Sequence, residues 1–262
     1  MRTNARRPNS RLVGSRNRLH GPRSVVSSQG GGVAAFDLTS LVSAWHFEEA
    51  TGVQRNDSYG SNHLTDASAD VTQETGKVGT YCAGSLGTGG YLEKTDTASL
   101  SMGDIDFSIV SWVKLASVAA NIYVWGKGDT STNLPEYALR YDTGTSRIRF
   151  SGSNGALATW DLAADTLGLP VINTWYFVVC WHDASANTVN IQVNNGTVDS
   201  AVYSDGSYDS TTSLIVCGAY GSLGNPSYNG YIDEMSIWKR VLTAAERTSL
   251  YNGGTGRAYP FN

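Results

Sequence analysis

From Phe107 to Trp238 the sequence is a succession of short alternating or apolar stretches separated by turn residues, a pattern that points to layered β structure. Phe107-Ser108-Ile109-Val110-Ser111-Trp112-Val113-Lys114 alternates, which places Phe107, Ile109, Ser111 and Val113 on one side of a strand. Trp175 to Trp181 is apolar throughout, as a central strand covered on both faces must be. Segments 121–125, 137–141 and 147–151 follow at hairpin spacing, with Asp142-Thr143-Gly144-Thr145 turning between the last two. Thr188 to Val193 is expected to pair with the strand before it, and Asn194-Asn195-Gly196 supplies residues that tolerate positive φ. Leu41 to Phe47, Leu214 to Cys217 and Gly230 to Trp238 complete the strand set. One helix is predicted: Thr243-Ala244-Ala245-Glu246 is a capping box, and Asn252-Gly253-Gly254 stops the helix after Tyr251.

Composition agrees with many short strands and tight turns, since 262 residues include 29 Gly and 14 Tyr while only 16% are charged. The length fits one large all-β domain plus an appendage. No apolar run approaches the ~18 residues of a membrane span. Cys82, Cys180 and Cys217 are an odd number, two of them within expected strands, and read as reduced core residues.

Charge is divided unevenly along the chain. Residues 1–32 carry Arg2, Arg6, Arg7, Arg11, Arg16, Arg18 and Arg23 and no acidic residue. Removing these seven from the 19 Lys and Arg leaves 12 against 23 Asp and Glu, so residues 33–262 carry about −11. Residues 1–32 therefore read as a basic extended arm ending in the hinge Gly30-Gly31-Gly32, too poor in apolar residues to fold alone. The beginning lacks the apolar core of a secretion signal. The arm suits either nucleic-acid phosphates or an acidic protein surface, and a protein partner is favoured because the domain behind it has no basic surplus.

Few catalytic arrangements are open to this chain. Glycoside hydrolysis needs two carboxyls facing one sugar, yet Glu48-Glu49 and Asp233-Glu234 are adjacent, and strand neighbours point to opposite faces. His20, His46, His63 and His182 have no nucleophile motif beside them, and three scattered cysteines give no zinc spacing. Glycan binding asks for loop aromatics among Asn, Asp and Gly, and Trp160, Tyr208, Tyr220 and Tyr228 occupy such text; covering the sandwich edges is their alternative role.

Several segments together resemble the laminin-G-like, concanavalin A-like lectin/glucanase superfamily. They are Leu41 to Glu49, Asp57-Ser58-Tyr59-Gly60-Ser61-Asn62, Phe107 to Lys114, Trp175 to Val178, and Val193 to Gly196, where Asn194-Asn195 replaces the family's aspartate. The most specific is Gly230 through Glu246, departing mainly at Met235 and Thr243. The resemblance covers about residues 36–252 and implies an all-β, two-sheet antiparallel jelly-roll sandwich over residues 33–262, with a short C-terminal helix. It also implies a structural Ca²⁺ held by Asp57 and Asp233, with Asn62 completing the oxygen shell; the alternative is that Asp57 caps a turn and Asp233 bonds a backbone amide.

Members of this superfamily usually work outside cells, yet the chain shows no export signal. A bacteriophage virion component reconciles the two, being made in the host cytoplasm and exposed on lysis. The expectation is a non-enzymatic virion surface component (capsid decoration, head fibre or tail adhesin), homo-oligomeric in an assembly. Its arm docks on other virion or capsid proteins, and its sandwich faces outward toward surface glycans. The alternative is a secreted or cell-surface carbohydrate-binding module, and a glycoside hydrolase is a distant third.

Overall fold

The computed structural model describes residues 36–261 apart from 68, 88, 130–133, 157 and 220–227. The seven arm arginines and Tyr220 lie outside the described residues. Fifteen strands are described: β1 (Leu41–Trp45), β2 (Thr65–Asp66), β3 (Thr72–Thr75), β4 (Tyr81–Leu86), β5 (Leu92–Lys94), β6 (Phe107–Leu115), β7 (Ile122–Asp129), β8 (Leu134–Asp142), β9 (Arg147–Ser153), β10 (Thr159–Ala163), β11 (Trp175–Asp183), β12 (Thr188–Val193), β13 (Val198–Val202), β14 (Leu214–Val216) and β15 (Asn229–Trp238). One α-helix, α1 (Ala244–Tyr251), follows them.

The strands form two antiparallel sheets. The first runs β13-β12-β11-β6-β15-β4-β3, with β1 also paired to β15; the second runs β10-β9-β8-β7-β14-β5-β2. The inward sides of both interdigitate into the main core, with Phe107, Ile109, Val113 and Val178 facing Trp125, Leu139, Ile148 and Phe150. Ser111 shares the inward side of β6 as its alternation requires, and the Trp125 indole donates to its hydroxyl across 3.1 Å, so the core polar group is satisfied.

The outer face of the first sheet is covered as well. Val110, Trp112, Phe177, Val179, Trp181 and Trp238 form a second apolar layer, closed by Leu242, by Leu250 of α1 and by Phe261. This explains why β11 is apolar at every position from Tyr176 to Trp181: its odd and even side chains enter different cores. Thr243 caps α1 through the expected box, its hydroxyl accepting from the Glu246 amide while the Glu246 carboxylate accepts from the Thr243 amide. Asn194 and Asn195 take the positive φ values of 51° and 54° that the hairpin after β12 needs.

The second sheet carries a buried ion pair. Lys127 of β7 and Glu136 of β8 are fully buried, with Nζ 2.6 Å from Oε2. Glu136 also accepts from the amides of Met102 (2.7 Å) and Ser210 (3.1 Å), Lys127 donates to the Ser210 carbonyl, and Asp96 lies 3.0 Å from Nζ. The segments carrying Met102 and Ser210 are thereby bonded to the sheet. Toward β9 and β10 the polar side chains of Arg147, Arg149 and Asp161 remain accessible.

Candidate functional site

The hairpin β8–β9 sets Arg140 directly opposite Arg149. Like charges in that relation repel unless an anion lies between them. The next strand supplies one, because β10 places Asp161 opposite Ser151. Asp161 Oδ2 lies 2.7 Å from Arg140 and 2.9 Å from Arg149 Nε, and Oδ1 accepts from the Ser151 hydroxyl at 2.5 Å. Arg140 is held from its other side by Asp142 at 2.7 Å.

Beside this network, where edge strand β10 of one sheet meets edge strand β13 of the other, a cleft of about 560 Å³ opens. Arg147, Arg149, Asp161 and Asp165 form its polar wall, and Trp160 and Tyr203 its aromatic lining. The two rings meet edge to face with centroids 4.7 Å apart. Trp160 packs over Gly152, where a side chain would collide with the indole: an added Cβ lies 1.9 Å from the ring. The Tyr203 hydroxyl donates to the Ala158 carbonyl at 3.0 Å, whereas the Trp160 indole N–H is buried and has no acceptor among the described residues.

Of the expected aromatics among the described residues, Trp160 lines the cleft and Tyr208 and Tyr228 do not. Tyr208 is half-buried; its hydroxyl donates to the Leu134 carbonyl at 2.8 Å and accepts from the Asp129 amide at 2.6 Å, tying a loop to the sheet. Tyr228 requires correction as a glycan contact. It is fully buried in the main core, its hydroxyl donating to the Tyr231 carbonyl at 2.7 Å, and it offers no surface. Arg140, Arg149 and Asp161 were not singled out in the sequence. Their signal was present, since Arg147 and Arg149 alternate on β9, but Asp161 joins them only through strand pairing.

The carboxylates expected to hold calcium both accept from backbone amides. Asp57 Oδ1 accepts from the amides of Ala44, Tyr59 and Gly60, and Oδ2 from that of Asn62. Asn62 spends its side-chain oxygen on the hydroxyls of Thr97 and Ser99. Asp233 Oδ2 accepts from Lys77 and Val78 at 2.7 and 2.9 Å, and it has no hydrogen-bond partner in common with Asp57. Among the described residues no group of three or more His, Cys, Asp or Glu has the arrangement of a metal site. Asp233 Oδ1 is buried and has no hydrogen-bond partner among the described residues. Chelation with EDTA tests the calcium site expected at Asp57, Asn62 and Asp233: a lowered melting temperature supports it, and an unchanged one removes it.

Burial sets the behaviour of Asp233. It lifts the carboxyl to about 8, with the Glu234 charge adding to the rise and the Val78 and Lys77 amides opposing it. A carboxyl whose folded pKa exceeds its unfolded value near 3.8 contributes stability below that value and loses it as pH rises toward 8. Melting temperature is therefore expected to fall between pH 5 and 9 by more in the native chain than in Asp233→Asn; equal slopes would mean that Asp233 is ionised throughout. The other acids are engaged locally: Glu48 accepts from Thr80 and Tyr81 amides at 2.8 and 3.1 Å, and Glu234 lies 2.9 Å from His46 Nδ1.

A two-sheet sandwich with one face sealed and a polar, aromatic cleft at its open edge defines a lectin-like jelly roll. The family model described as the concanavalin A-like lectin/glucanases superfamily matches residues 86–246, and the chain belongs to that family. No curated protein matches the sequence. Among solved structures, the binding domain of Paraclostridial mosquitocidal protein 1 is similar, with a TM-score of 0.64 and 14% identity over 82% of this chain and 52% of that one. The binding domain of botulinum neurotoxin DC in complex with SialylT gives 0.61 and 12% over 82% and 51%. Trypanosoma rangeli sialidase gives 0.61 and 16% over 90% and 36%. The chain thus spans about half or less of each neighbour, and at these identities the likeness is one of fold. No described helix is long and apolar enough to cross a membrane.

Proposed function

We propose that this chain is a non-enzymatic glycan-binding module whose site is the edge cleft along β10. The observation that carries the reading is the company Trp160 and Tyr203 keep. An aromatic pair lines a cleft walled by Arg147, Arg149, Asp161 and Asp165, the combination of apolar surface and fixed hydrogen-bonding groups that a sugar ring requires. A non-catalytic role is supported by the acids themselves: Asp161 is held by two arginines and a serine, and Glu48, Asp233 and Glu234 each have local partners. Retention of the full chain by immobilised glycans tests the binding, and absence of reducing-sugar release from the same glycans tests the lack of catalysis.

The basic arm extends this reading to a virion surface component (capsid decoration, head fibre or tail adhesin) whose residues 1–32 dock on acidic capsid or tail proteins in a homo-oligomeric assembly, with the sandwich outward. Its support is the separation of seven arginines from a domain carrying about −11. Purified phage particles probed with an antibody to the sandwich are expected to be labelled. A chain found only as a secreted or cell-surface protein would leave the glycan-binding module and remove the virion.

A further inference from the structure

The cleft along β10 carries equal and paired charge. Arg149 Nε lies 2.9 Å from Asp161 Oδ2 and Arg147 Nε 3.3 Å from Asp165 Oδ1. Arg140, at the edge of this network, is itself divided between Asp142 and Asp161. An anionic sugar entering here meets carboxylates that already hold the arginines; to gain a guanidinium it must displace one of them, and until then it is repelled. An uncharged sugar has no such competition. Its hydroxyls donate to the rim carboxylates and accept from guanidinium N–H groups without separating any ion pair. The volume of about 560 Å³ lies within the range of small-ligand sites.

A second observation points to a hydroxyl as the missing partner. Trp160 is 5% exposed and lines the cleft, and its indole N–H finds no acceptor among the described residues. A buried donor left in that state gains from any acceptor brought to it. Tyr203 differs, since its hydroxyl is committed to the Ala158 carbonyl.

We propose that the cleft is a subsite for uncharged saccharide units that discriminates against anionic ones such as sialic acids, with the accessible edges of the largely buried Trp160 and Tyr203 against the sugar and the Trp160 indole N–H donating to a sugar oxygen. This rests on the glycan-binding reading above and adds the ligand's charge class.

The test is a glycan array of neutral oligosaccharides printed beside their sialylated counterparts, probed with the full chain and three variants. The wild type is expected to favour the neutral member of each pair by at least about tenfold. Trp160→Phe keeps an aromatic ring and removes the N–H, and is expected to weaken neutral binding by about five- to tenfold in protein that remains folded, at a somewhat lowered melting temperature. Asp161→Asn leaves two arginines facing an uncharged amide, and is expected to raise the sialylated signal at least about threefold. Val202→Arg, at a rim position 86% exposed, obstructs the mouth without touching the core and keeps the test decisive should Trp160→Phe unfold. Preference for the sialylated members would overturn the charge-class inference while leaving glycan binding in place. Neutral binding indifferent to both Trp160→Phe and Val202→Arg would overturn the cleft as the site. Binding to no glycan at all would remove the glycan-binding reading on which it rests.

Discussion

Replacing Lys127 by methionine is expected to lower the unfolding free energy by about 3–5 kcal/mol in a urea titration, the cost typical of stranding one charge of a buried pair. Lys127 and Glu136 are both inaccessible to solvent, and their 2.6 Å contact is the centre of a network reaching Asp96 and two loops. Without the ammonium, the carboxylate keeps the amides of Met102 and Ser210 but loses its counter-charge. Burial already pushes the Glu136 carboxyl upward, opposed chiefly by Lys127, so the lone acid is expected to take up a proton. The double variant K127M/E136Q removes both charges and keeps an amide oxygen for the loop, and should recover at least about 2 kcal/mol of the loss. A single variant costing under about 1 kcal/mol would mean that the pair does not hold the loops down.

Asp57→Ala should be nearly as damaging, at about 3–5 kcal/mol by thermal or urea unfolding, because four backbone amides converge on this one carboxylate. Three belong to the turn at 59–62 and the fourth, from Ala44, ties that turn to β1. The turn leaves no room for substitutes: a Cβ added at Gly60 would lie 2.5 Å from the Val42 carbonyl oxygen and 2.7 Å from Asp57 Oδ2. Asp57→Asn is expected to fall between wild type and alanine, since its amide oxygen can keep three of the donors while its NH₂ opposes the Asn62 amide. Equal stability of all three proteins would show that water replaces the carboxylate freely.

Much of the fold was legible because its signals are local. Alternation placed Phe107, Ile109, Ser111 and Val113 on one side of β6, and the continuous apolar stretch of β11 announced two covered faces. The capping box fixed where α1 starts. The site was legible only in part, and the reason is physical. Whether an aromatic near a loop reaches solvent depends on the tertiary partner its hydroxyl finds, and Tyr228 found the Tyr231 carbonyl inside the core. Trp160 belongs to the cleft, but its neighbours Arg149 and Asp161 are assembled by the register between β9 and β10, which no residue spacing discloses. Asp57 and Asp233 could equally be metal ligands or amide acceptors on sequence grounds, and the amides that Asp233 meets, those of Lys77 and Val78, are distant from it along the chain.

Phe36 and Phe261, near the two ends of the described domain, touch with ring centroids 5.2 Å apart, and both lie against Trp238. Chain entering and chain leaving therefore share one small patch on the sealed layer. The sandwich can accordingly be spliced into a surface loop of another protein with little separation of the loop's ends, or closed into a circle by a short linker and reopened at the hairpin after β12.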